Sequence, residues 1–561
     1  MGVVRTQRQH TWAAYAALDV LRARGVRVIF GLPGSTEAAL LEALRVRGEV
    51  RYVLTLQEGV AVAMADGYAR ASGGTAVVNL HTTVGTLAGL SQLYNAWRDR
   101  VPVVVLASHK DSRVLGRAGF TSLPDTTALV RPLCKWAHQT LRAEQVAEDV
   151  ERAFQQATSP PSGPAYVLIP EDLLAEPCGP ATVRTSPRPL PARGHPQAVQ
   201  HLVANLVQAR RPVMVAGSQL AGAGTDLAAQ LARELCVPVL WEPRRSLVQV
   251  PYPTEDPHFV GSYDAGHPAL SEADLLLVLG AVLFVEFSPP AAPEIPPHVR
   301  LVHVHPDASE LGRLYAPTLA VHADPCFVLQ DVLGGLVAHR VQVAERRSER
   351  SAWVASLRAQ WQAQREARAA REAHAADLSA YHVGAALGRV APPETLVVEE
   401  AVRSSAAFLE GYPLRPGNLL RTSGGSLGWG VPAALGAQLA VGHRPVVAVV
   451  GDGCLHFTPQ ALWTGGQEHL PVVVVVLDNR KYLAVEAGVR RLLGGAAERG
   501  TPGIHLPGID HLAVASGYGA GALTVGGRGE LEDALREAFR RACQEGRPYL
   551  VRVPVRDEAG A

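Results

Sequence analysis

Runs of apolar residues alternate along the chain with amphipathic segments of helical length, beginning at residue 11. The helical segment TWAAYAALDVLRARG precedes the apolar run VRVIFGLPG, and the same order returns around RYVLTLQ, AVVNLH and VPVVVLASH. Such alternation is typical of a parallel sheet covered by helices. Because the runs are continuously apolar, we expect helices on both faces of the sheet.

This alternation occurs twice more. A Pro-rich segment over residues 178–196 indicates a linker, a charged stretch over 343–373 predicts a connecting helix, and a third unit begins near residue 380. The sequence therefore predicts an α/β fold of three doubly wound parallel-sheet domains. Their predicted limits are residues 1–180, 195–340 and 375–561.

The composition is that of a packed globular protein. The 561 residues are 47% hydrophobic and 19% charged, with a formal net charge of +1, so nucleic-acid binding gains no support. The six cysteines form no CxxC pair, and we expect them to be reduced. Without an apolar leader or an apolar stretch of about 18 residues, the sequence predicts a soluble, cytoplasmic protein with no membrane partner.

Polar side chains come at the ends of four apolar runs in the first unit. These residues are Ser35, Glu58, His81 and His109. Ligands of open parallel sheets bind at the carboxyl ends of the strands. Ser35 and His109 could equally be helix caps or satisfied polar residues, whereas Glu58 and His81 would be costly to leave unpaired at the end of an apolar run. A site at this edge of the sheet is therefore expected.

Two apolar runs of the third unit each end in an oxygen ligand. VVAVVGDG delivers Asp452 and VVVVVLDN delivers Asn479, 27 positions later. On adjacent parallel strands, a carboxylate, an amide oxygen and a nearby carbonyl would form a hard site suited to Mg²⁺ or Ca²⁺. A helix expected to begin near Thr458 would present its N-terminus to an anion. The pattern predicts a diphosphate held through a metal ion.

At this point the chain resembles a known family. GDG followed 26 residues later by the Asn of VLDN is similar to the thiamine diphosphate motif. The likeness extends over nearly the whole chain through the segments FGLPGS, LQEGVAVAMADGYARASG, RPLCKW, GGSLGWGVPAALGAQLA and PGIDHLAVASGYG. The group is that of the thiamine diphosphate-dependent decarboxylases and acetolactate synthases, and the sequence most resembles the benzoylformate decarboxylases. One departure is Asp478, where the family has the first Asn of a pair.

The resemblance implies a role for each matching residue. Glu58 would hydrogen-bond the pyrimidine ring of the cofactor, the carbonyl of Gly425 would accept from its amine, and Leu427 would hold it bent. Ser35 and His81 would meet the substrate carboxylate and relay protons. Mg²⁺ would be held by Asp452, Asn479 and the carbonyl of Lys481. The remaining implied cofactor contacts are Gly453, Cys454 and Tyr482.

A second departure concerns the substrate chemistry. Benzoylformate decarboxylases use another histidine at a position that aligns with Phe287, and an aromatic ring cannot transfer a proton. Either His109 or Glu486 substitutes, or protonation is slow and carbon–carbon bond formation is favoured. The resemblance thus implies a nonoxidative decarboxylase of a 2-keto acid with possible carboligase activity, in a homo-oligomer whose cofactor lies between subunits. A dimer of dimers is expected.

Three alternatives stay open. An acetolactate synthase-like carboligase could carry FAD in the central domain, although GSQLAGAG there lacks a full GxGxxG. GGSLG, residues 424–428, fits a nucleophile elbow with Asp452 and His469 downstream, but LLRTS is a poor preceding strand for a serine hydrolase. A noncatalytic partner subunit is the third, and the retention of Glu58, Asp452 and Asn479 argues against it.

Overall fold

The computed structural model describes residues 11–178, 184–284, 293–494 and 500–557. Over these residues the chain forms three six-stranded sheets in which every neighbouring pair of strands is parallel. A two-stranded antiparallel ribbon pairs Thr11–Trp12 with Pro177–Cys178. The α/β fold of three parallel-sheet domains predicted from the sequence is confirmed. No helix in the described ranges is long and apolar enough to span a bilayer.

The first sheet has the strand order β3-β2-β4-β5-β7-β6. Its strands are almost wholly buried because helices cover both faces. The strands of this part are β1 Thr11–Trp12, β2 Val28–Leu32, β3 Arg51–Leu54, β4 Ala76–His81, β5 Val103–His109, β6 Trp136–Gln139, β7 Ala165–Pro170 and β8 Pro177–Cys178. The helices are α1 Ala13–Ala23, α2 Ala38–Arg47, α3 Glu58–Ser72, α4 Thr82–Arg98, α5 Thr127–Val130, α6 Val146–Thr158 and α7 Glu171–Ala175.

The central sheet has the order β11-β10-β9-β12-β13-β14. Its strands are β9 Pro212–Ala216, β10 Val239–Trp241, β11 Phe259–Ser262, β12 Leu275–Leu279, β13 Arg300–His305 and β14 Leu319–His322. Its helices are α8 Pro196–Gln208, α9 Ala223–Leu235, α10 Pro268–Ser271, α11 Pro325–Leu336 and α12 Arg340–Ala373. The long α12 is more than a solvated connector, because the fully buried Arg350 donates to carbonyl oxygens in the last turns of α8 and α9.

The third sheet has the order β16-β15-β17-β18-β20-β19. Its strands are β15 Leu396–Glu400, β16 Leu419–Arg421, β17 Val446–Gly451, β18 Val473–Asp478, β19 Gly521–Thr524 and β20 Tyr549–Pro554. Its helices are α13 Ala380–Val390, α14 Ser405–Gly411, α15 Gly430–Val441, α16 Asp452–Leu455, α17 Ala461–Gln467, α18 Leu483–Leu493, α19 His511–Gly517 and α20 Leu531–Glu545.

Helices α3 and α15 join the first and third domains through direct backbone contact. A Cβ added at Gly67 would lie 2.0 Å from the carbonyl oxygen of Ala433, and one added at Gly436 would lie 1.9 Å from that of Met64. Only glycine allows this approach. The two contacts run in opposite directions along the helices, so α3 and α15 are antiparallel.

Candidate active site

The carboxyl ends of β2, β4 and β5 bring the predicted residues of the first domain to one edge. His81 and His109 are the last residues of β4 and β5. Ser35 does not end a strand as expected: it begins a short 3₁₀ helix, Ser35–Glu37, three residues after β2. Because β4 lies between β2 and β5, His81 lies between the other two strand ends.

His81 is held by a carboxylate that the sequence analysis missed. Its Nδ1 atom lies 2.9 Å from Oε2 of Glu37 and 3.0 Å from Oγ1 of Thr36. Glu37 is completely buried, and its Oε2 also accepts from the N–H of Gly34 at 2.7 Å. The signal was present in the sequence, since Glu37 is the third residue of the turn that follows the FGLPG strand.

The backbone around His81 is shaped to place its ring. A Cβ at Gly34 would lie 2.3 Å from the imidazole, so only glycine fits beneath it. Thr82 adopts a left-handed conformation with φ of 51°, and its buried hydroxyl has no hydrogen-bond partner within the described chain. Strain of this kind in a β-branched residue is concentrated at functional sites.

Glu58 is the first residue of α3, not the end of a strand as expected, because β3 ends at Leu54. The preceding Gln57 caps the helix by accepting from the N–H of Val60 at 3.0 Å. Glu58 is half-buried, and its Oε1 lies against Gly85 near the start of α4. Its carboxyl group is therefore at the same edge as His81.

His109 is buried, and a lysine follows it. The Nδ1 atom of His109 accepts from the N–H of Lys110 at 2.7 Å, and Nζ of Lys110 lies 3.4 Å from Oγ of Ser35. Burial lowers the pKa of His109, and the Lys110 ammonium lowers it further. His109 is thus held as a neutral imidazole, which is a weak proton donor.

In the third domain, the strands that precede Asp452 and Asn479 are adjacent and parallel, as predicted. The two residues directly follow the paired strands β17 and β18, in which Gly451 is opposite Leu477. Oδ1 of Asp452 accepts from the N–H of Gly453 at 2.9 Å, and Oδ1 of Asn479 accepts from the N–H of Lys481 at 3.2 Å. The helix expected near Thr458 is α17, which begins three residues later at Ala461, and a single helical turn, α16, begins at Asp452 itself.

The departure at Asp478 is compensated by an arginine. Nε of Arg552, on the neighbouring strand β20, donates to Oδ2 of Asp478 at 2.7 Å. Burial opposes ionisation of Asp478, but hydrogen bonds from His511 and Arg552 outweigh it and hold the pKa well below its usual range. His511 is itself hydrogen-bonded to His456, with Nδ1 and Nε2 3.0 Å apart. The position therefore carries a paired charge where the family has a neutral amide.

The oxygen atoms at the ends of β17 and β18 suit a hard cation. Burial raises the pKa of Asp452 to about 6, and the Asp478 carboxylate contributes to the rise, as expected for a site that lacks a positive partner. In the parts of the chain described, no three His, Cys, Asp or Glu side chains cluster as metal ligands. A cation would therefore depend on the mixed set of Asp452, Asn479 and the carbonyl of Lys481, which is the chemistry that Mg²⁺ prefers.

The other predicted cofactor residues lie next to this set in the chain or on the loop before α15. The ring of Tyr482 lies against Gly453, and Cys454 is buried, which raises the pKa of its thiol. The loop that carries Gly425 and Leu427 precedes α15. Gly425 has φ of 82°, and the carbonyl of Leu427 accepts from Nε2 of Gln92 at 2.9 Å.

A second carboxyl that the sequence analysis missed lies beneath this loop. Glu400, the last residue of β15, accepts from the N–H groups of Trp429 and Gly430 at 3.1 and 2.9 Å. Burial raises the pKa of Glu400 to about 8, although these N–H groups oppose the rise. Glu400 therefore positions the loop at the start of α15. Its signal was an acid at the end of the apolar run LVVEE.

The two halves of the site do not meet within one chain. Glu58 begins α3 nine residues before Gly67, and Gly430 begins α15 three residues before Ala433, which contacts Gly67. Because the helices are antiparallel and rise 1.5 Å per residue, Glu58 and Gly430 are separated by about 18 Å along the helix axes. Glu58 therefore cannot reach a cofactor held by the Gly425 loop of its own chain.

Neither Glu486 nor His109 is well suited to donate the proton that a histidine at the Phe287 position would supply. Phe287 itself lies outside the described residues. Glu486 forms an ion pair with Lys481 at 2.8 Å, and this contact lowers the pKa of Glu486. As an ionised acid, Glu486 is a poor proton donor, and so is the neutral His109.

In the central domain, the backbone N–H groups that could bind the phosphate of a nucleotide such as FAD donate instead to a carboxyl group of the protein. Glu242, at the end of β10, accepts from the N–H of Ser218 at 2.7 Å and from that of Val282 at 3.2 Å. Burial raises the pKa of Glu242 to about 8. A carboxyl at the start of the GSQLAGAG loop disfavours a phosphate there.

The GGSLG segment does not form a nucleophile elbow. Ser426 lies in an extended loop between β16 and α15, and its N–H donates to Oδ1 of Asn95 at 3.1 Å. In the described structure, no hydrogen bond joins Ser426, Asp452 and His469. The arrangement gives no support to a serine hydrolase.

Comparison with known proteins identifies this architecture. Models of thiamine pyrophosphate enzymes match the chain in three parts, the N-terminal TPP binding domain over residues 11–129, the central domain over 199–332 and the C-terminal TPP binding domain over 404–553. The chain belongs to the thiamine pyrophosphate enzyme family, as its motifs predicted. It is a thiamine diphosphate-dependent enzyme of the 2-keto acid decarboxylase class.

Individual relatives cover nearly its full length. Benzoylformate decarboxylase of Pseudomonas aeruginosa is 34% identical over 96% of this chain and 98% of that protein. The acetolactate synthase large subunit of Haemophilus influenzae is 26% identical over 94% of this chain and 92% of that protein. A solved thiamine diphosphate-dependent 4-hydroxybenzoylformate decarboxylase of Rhodococcus jostii RHA1 has 28% identity and a TM-score of 0.82, covering 98% of this chain and 100% of that chain.

Proposed function

We propose that this protein is a nonoxidative decarboxylase of 2-keto acids, similar to the benzoylformate decarboxylases, that uses thiamine diphosphate and Mg²⁺. The observation that carries the proposal is the Glu37–His81 pair beside Glu58 and Ser35, at the edge of a sheet whose counterpart in the third domain ends in Asp452 and Asn479. The first edge can orient a substrate and handle protons. The second can hold a diphosphate through a cation.

The residues then divide the chemistry. Thiamine diphosphate, when bound, supplies the electron sink for cleavage of the bond to the carboxylate. Glu58 would hydrogen-bond the pyrimidine ring, and Asp452, Asn479 and the Lys481 carbonyl would hold Mg²⁺. Carbon dioxide leaves without a proton, so an aldehyde product needs one proton at its carbonyl carbon. His81, fixed by Glu37, is the group that we propose donates it.

We also propose that the working form is a homo-oligomer in which Glu58 of one chain meets the Gly425 loop and Asp452 of another. The separation of about 18 Å within one chain supports this arrangement. Exposed apolar side chains on α4 supply a surface for a second copy. They are Val84, Leu87, Tyr94 and Trp97, and together they favour association.

A product assay tests the chemistry. Purified protein with thiamine diphosphate and Mg²⁺ is given benzoylformate, phenylpyruvate and pyruvate in turn, and products are identified by NMR. We expect the aldehyde and carbon dioxide only when both cofactors are present, and loss of turnover after treatment with EDTA. A ligated product such as acetolactate would instead favour the carboligase, for which a yellow protein with flavin absorbance would be a second sign. No turnover of any 2-keto acid would refute the proposal.

Subunit complementation tests the shared site. Glu58→Gln and Asp452→Ala chains carrying different tags are coexpressed, and the mixed oligomer is purified through both tags. If each site takes Glu58 and Asp452 from different chains, a mixed dimer has one intact site of two, and we expect about half the wild-type activity. Each variant alone would be inactive. A mixed oligomer as inactive as its parents would exclude a site built across chains.

A further inference from the structure

The chain has only three lysines, and two of them have evident structural partners. Nζ of Lys135 donates to the carbonyl oxygens of Gln156 and Ser159 at 2.7 and 2.5 Å. Nζ of Lys481 forms ion pairs with Glu486 and Asp557. Lys110 differs, because its only polar side-chain contact among the described residues is Oγ of Ser35 at 3.4 Å.

Lys110 is held at the edge that carries His81. It directly follows β5, and Ser35 follows β2 on the other side of β4. Lys110 as a whole residue is half-buried, and within the described ranges no carboxylate lies within 4.0 Å of its ammonium. An ammonium without a counterion in the described chain, beside the predicted substrate-binding Ser35, suits an anionic ligand group.

The nearby acids are already engaged. Asp111 pairs with Arg113, and its N–H donates to Oε1 of Glu171 at 3.3 Å. Oδ1 of Asp172 accepts from the N–H of Ser112 at 2.9 Å. Because these carboxylates are bonded to other groups, none of them neutralises the Lys110 ammonium, which can bind an anionic ligand.

The anionic partner of Lys110 could be either the departing carboxylate of the substrate or a second carboxylate elsewhere on it. The chemistry of decarboxylation favours the second. An ammonium on the departing carboxylate would stabilise the reactant more than the transition state, in which that charge is leaving as neutral carbon dioxide. Such a contact would slow decarboxylation. A carboxylate elsewhere on the substrate keeps its charge throughout, so binding it lowers KM without opposing the reaction.

We propose that Lys110 recognises a second carboxylate and that the preferred substrates are 2-keto dicarboxylic acids. The inference rests on the proposed function and names the substrate class of the same site. Lys110 is then a specificity-determining residue for the second carboxylate, and the neighbouring Ser35 keeps its implied contact with the departing carboxylate.

The test compares 2-keto dicarboxylic acids of four to six carbons with 2-keto monocarboxylic acids of equal length, using the holoenzyme. Wild-type protein should have a kcat/KM for one dicarboxylic acid on the order of tenfold above that of its monocarboxylic counterpart. Lys110→Met should remove this preference by raising KM for the dicarboxylic acids. Arg117→Met is the matched control, since it removes an exposed cation of the same loop and leaves the Asp111–Arg113 ion pair in place.

A binding measurement separates this inference from the proposed function. Calorimetric titration of the holoenzyme with glutarate and butyrate should show tighter binding of glutarate, lost in Lys110→Met and kept in Arg117→Met. Equal binding of the two acids, or a preference that survives Lys110→Met, would overturn the role of Lys110. This holds whether or not the product assay finds turnover, so the two proposals fail separately.

Discussion

Nδ1 of His81 lies 2.9 Å from Oε2 of Glu37, a carboxyl group from which solvent is wholly excluded. The pair joins the end of β4 to the short 3₁₀ helix that follows β2, and the N–H of Gly34 donates to the same carboxyl oxygen. A histidine with one nitrogen engaged in this way presents its other nitrogen in a fixed direction. The arrangement is that of a proton donor or acceptor oriented by a second group.

Removing the charge of Glu37 should impair the chemical step. Glu37→Gln keeps a hydrogen bond to His81 but not the carboxylate, and we expect kcat to fall by about 10- to 100-fold with little change in KM. Steady-state kinetics with the best 2-keto acid measure this, and circular dichroism checks the fold. The control is Glu42→Gln, an exposed acid on α2 paired with Arg45, which should behave as wild type. Unchanged kcat in Glu37→Gln would remove Glu37 from the mechanism.

Glu58 should be essential for turnover but not for folding. It begins a helix whose cap is Gln57, so Glu58→Gln should leave the melting temperature within a few degrees of wild type. Turnover should be largely lost, while thiamine diphosphate still binds through the third domain. Activity close to wild type in this variant would contradict the proposed cofactor chemistry.

Replacing one partner of the Asp478–Arg552 ion pair should destabilise the fold more than replacing both. Arg552→Met leaves a buried carboxylate without its main partner, and we expect a loss of about 3 kcal/mol in the free energy of unfolding. Asp478→Asn restores the family's neutral amide, so the double variant Asp478→Asn with Arg552→Met should recover most of that loss. Melting temperatures of the two single variants and the double variant measure the coupling. Additive losses would show that the two side chains do not interact.

The free energy of unfolding of the apoprotein should decrease as the pH rises from about 4.5 toward 8. The pKa of Glu242 is raised by burial from an ordinary 4.5 to about 8, so between these values the folded chain binds more protons than the unfolded chain. Stability is then fully present below about pH 4.5 and is lost as pH rises toward 8. Glu400 contributes in the same direction.

Glu242→Gln isolates this effect, because the amide resembles the protonated acid at every pH. Chemical denaturation of apoprotein at intervals from pH 5 to 9 should show a shallower decline in the variant than in wild type. Arg244, near Glu242 in sequence but paired with Glu410 on the surface, offers the control Arg244→Gln. A decline of equal slope in wild type and Glu242→Gln would show that Glu242 does not carry the dependence.

The sheets could be predicted from the sequence because short, continuously apolar runs such as VVVVVLD, in a chain of this composition, are typical of buried parallel strands. Asp452 and Asn479 followed from the same rule, since strand ends of a parallel sheet share an edge. Glu37 and Glu400 were missed because their partners are backbone N–H groups and a histidine that only the folded loops bring near. The strand-end placement of Glu58 failed for a related reason, since three residues separate β3 from α3.

The close contact between α3 and α15 has a consequence for ligand binding. One helix begins at Glu58, and the other begins just after Leu427, about 18 Å away. In an assembly with shared sites, this helix pair would join two different cofactors, one at each end. Because Gly67 and Gly436 leave no side chain to deform between the backbones, a shift of one helix would move the other. The two reaction centres would then be mechanically coupled.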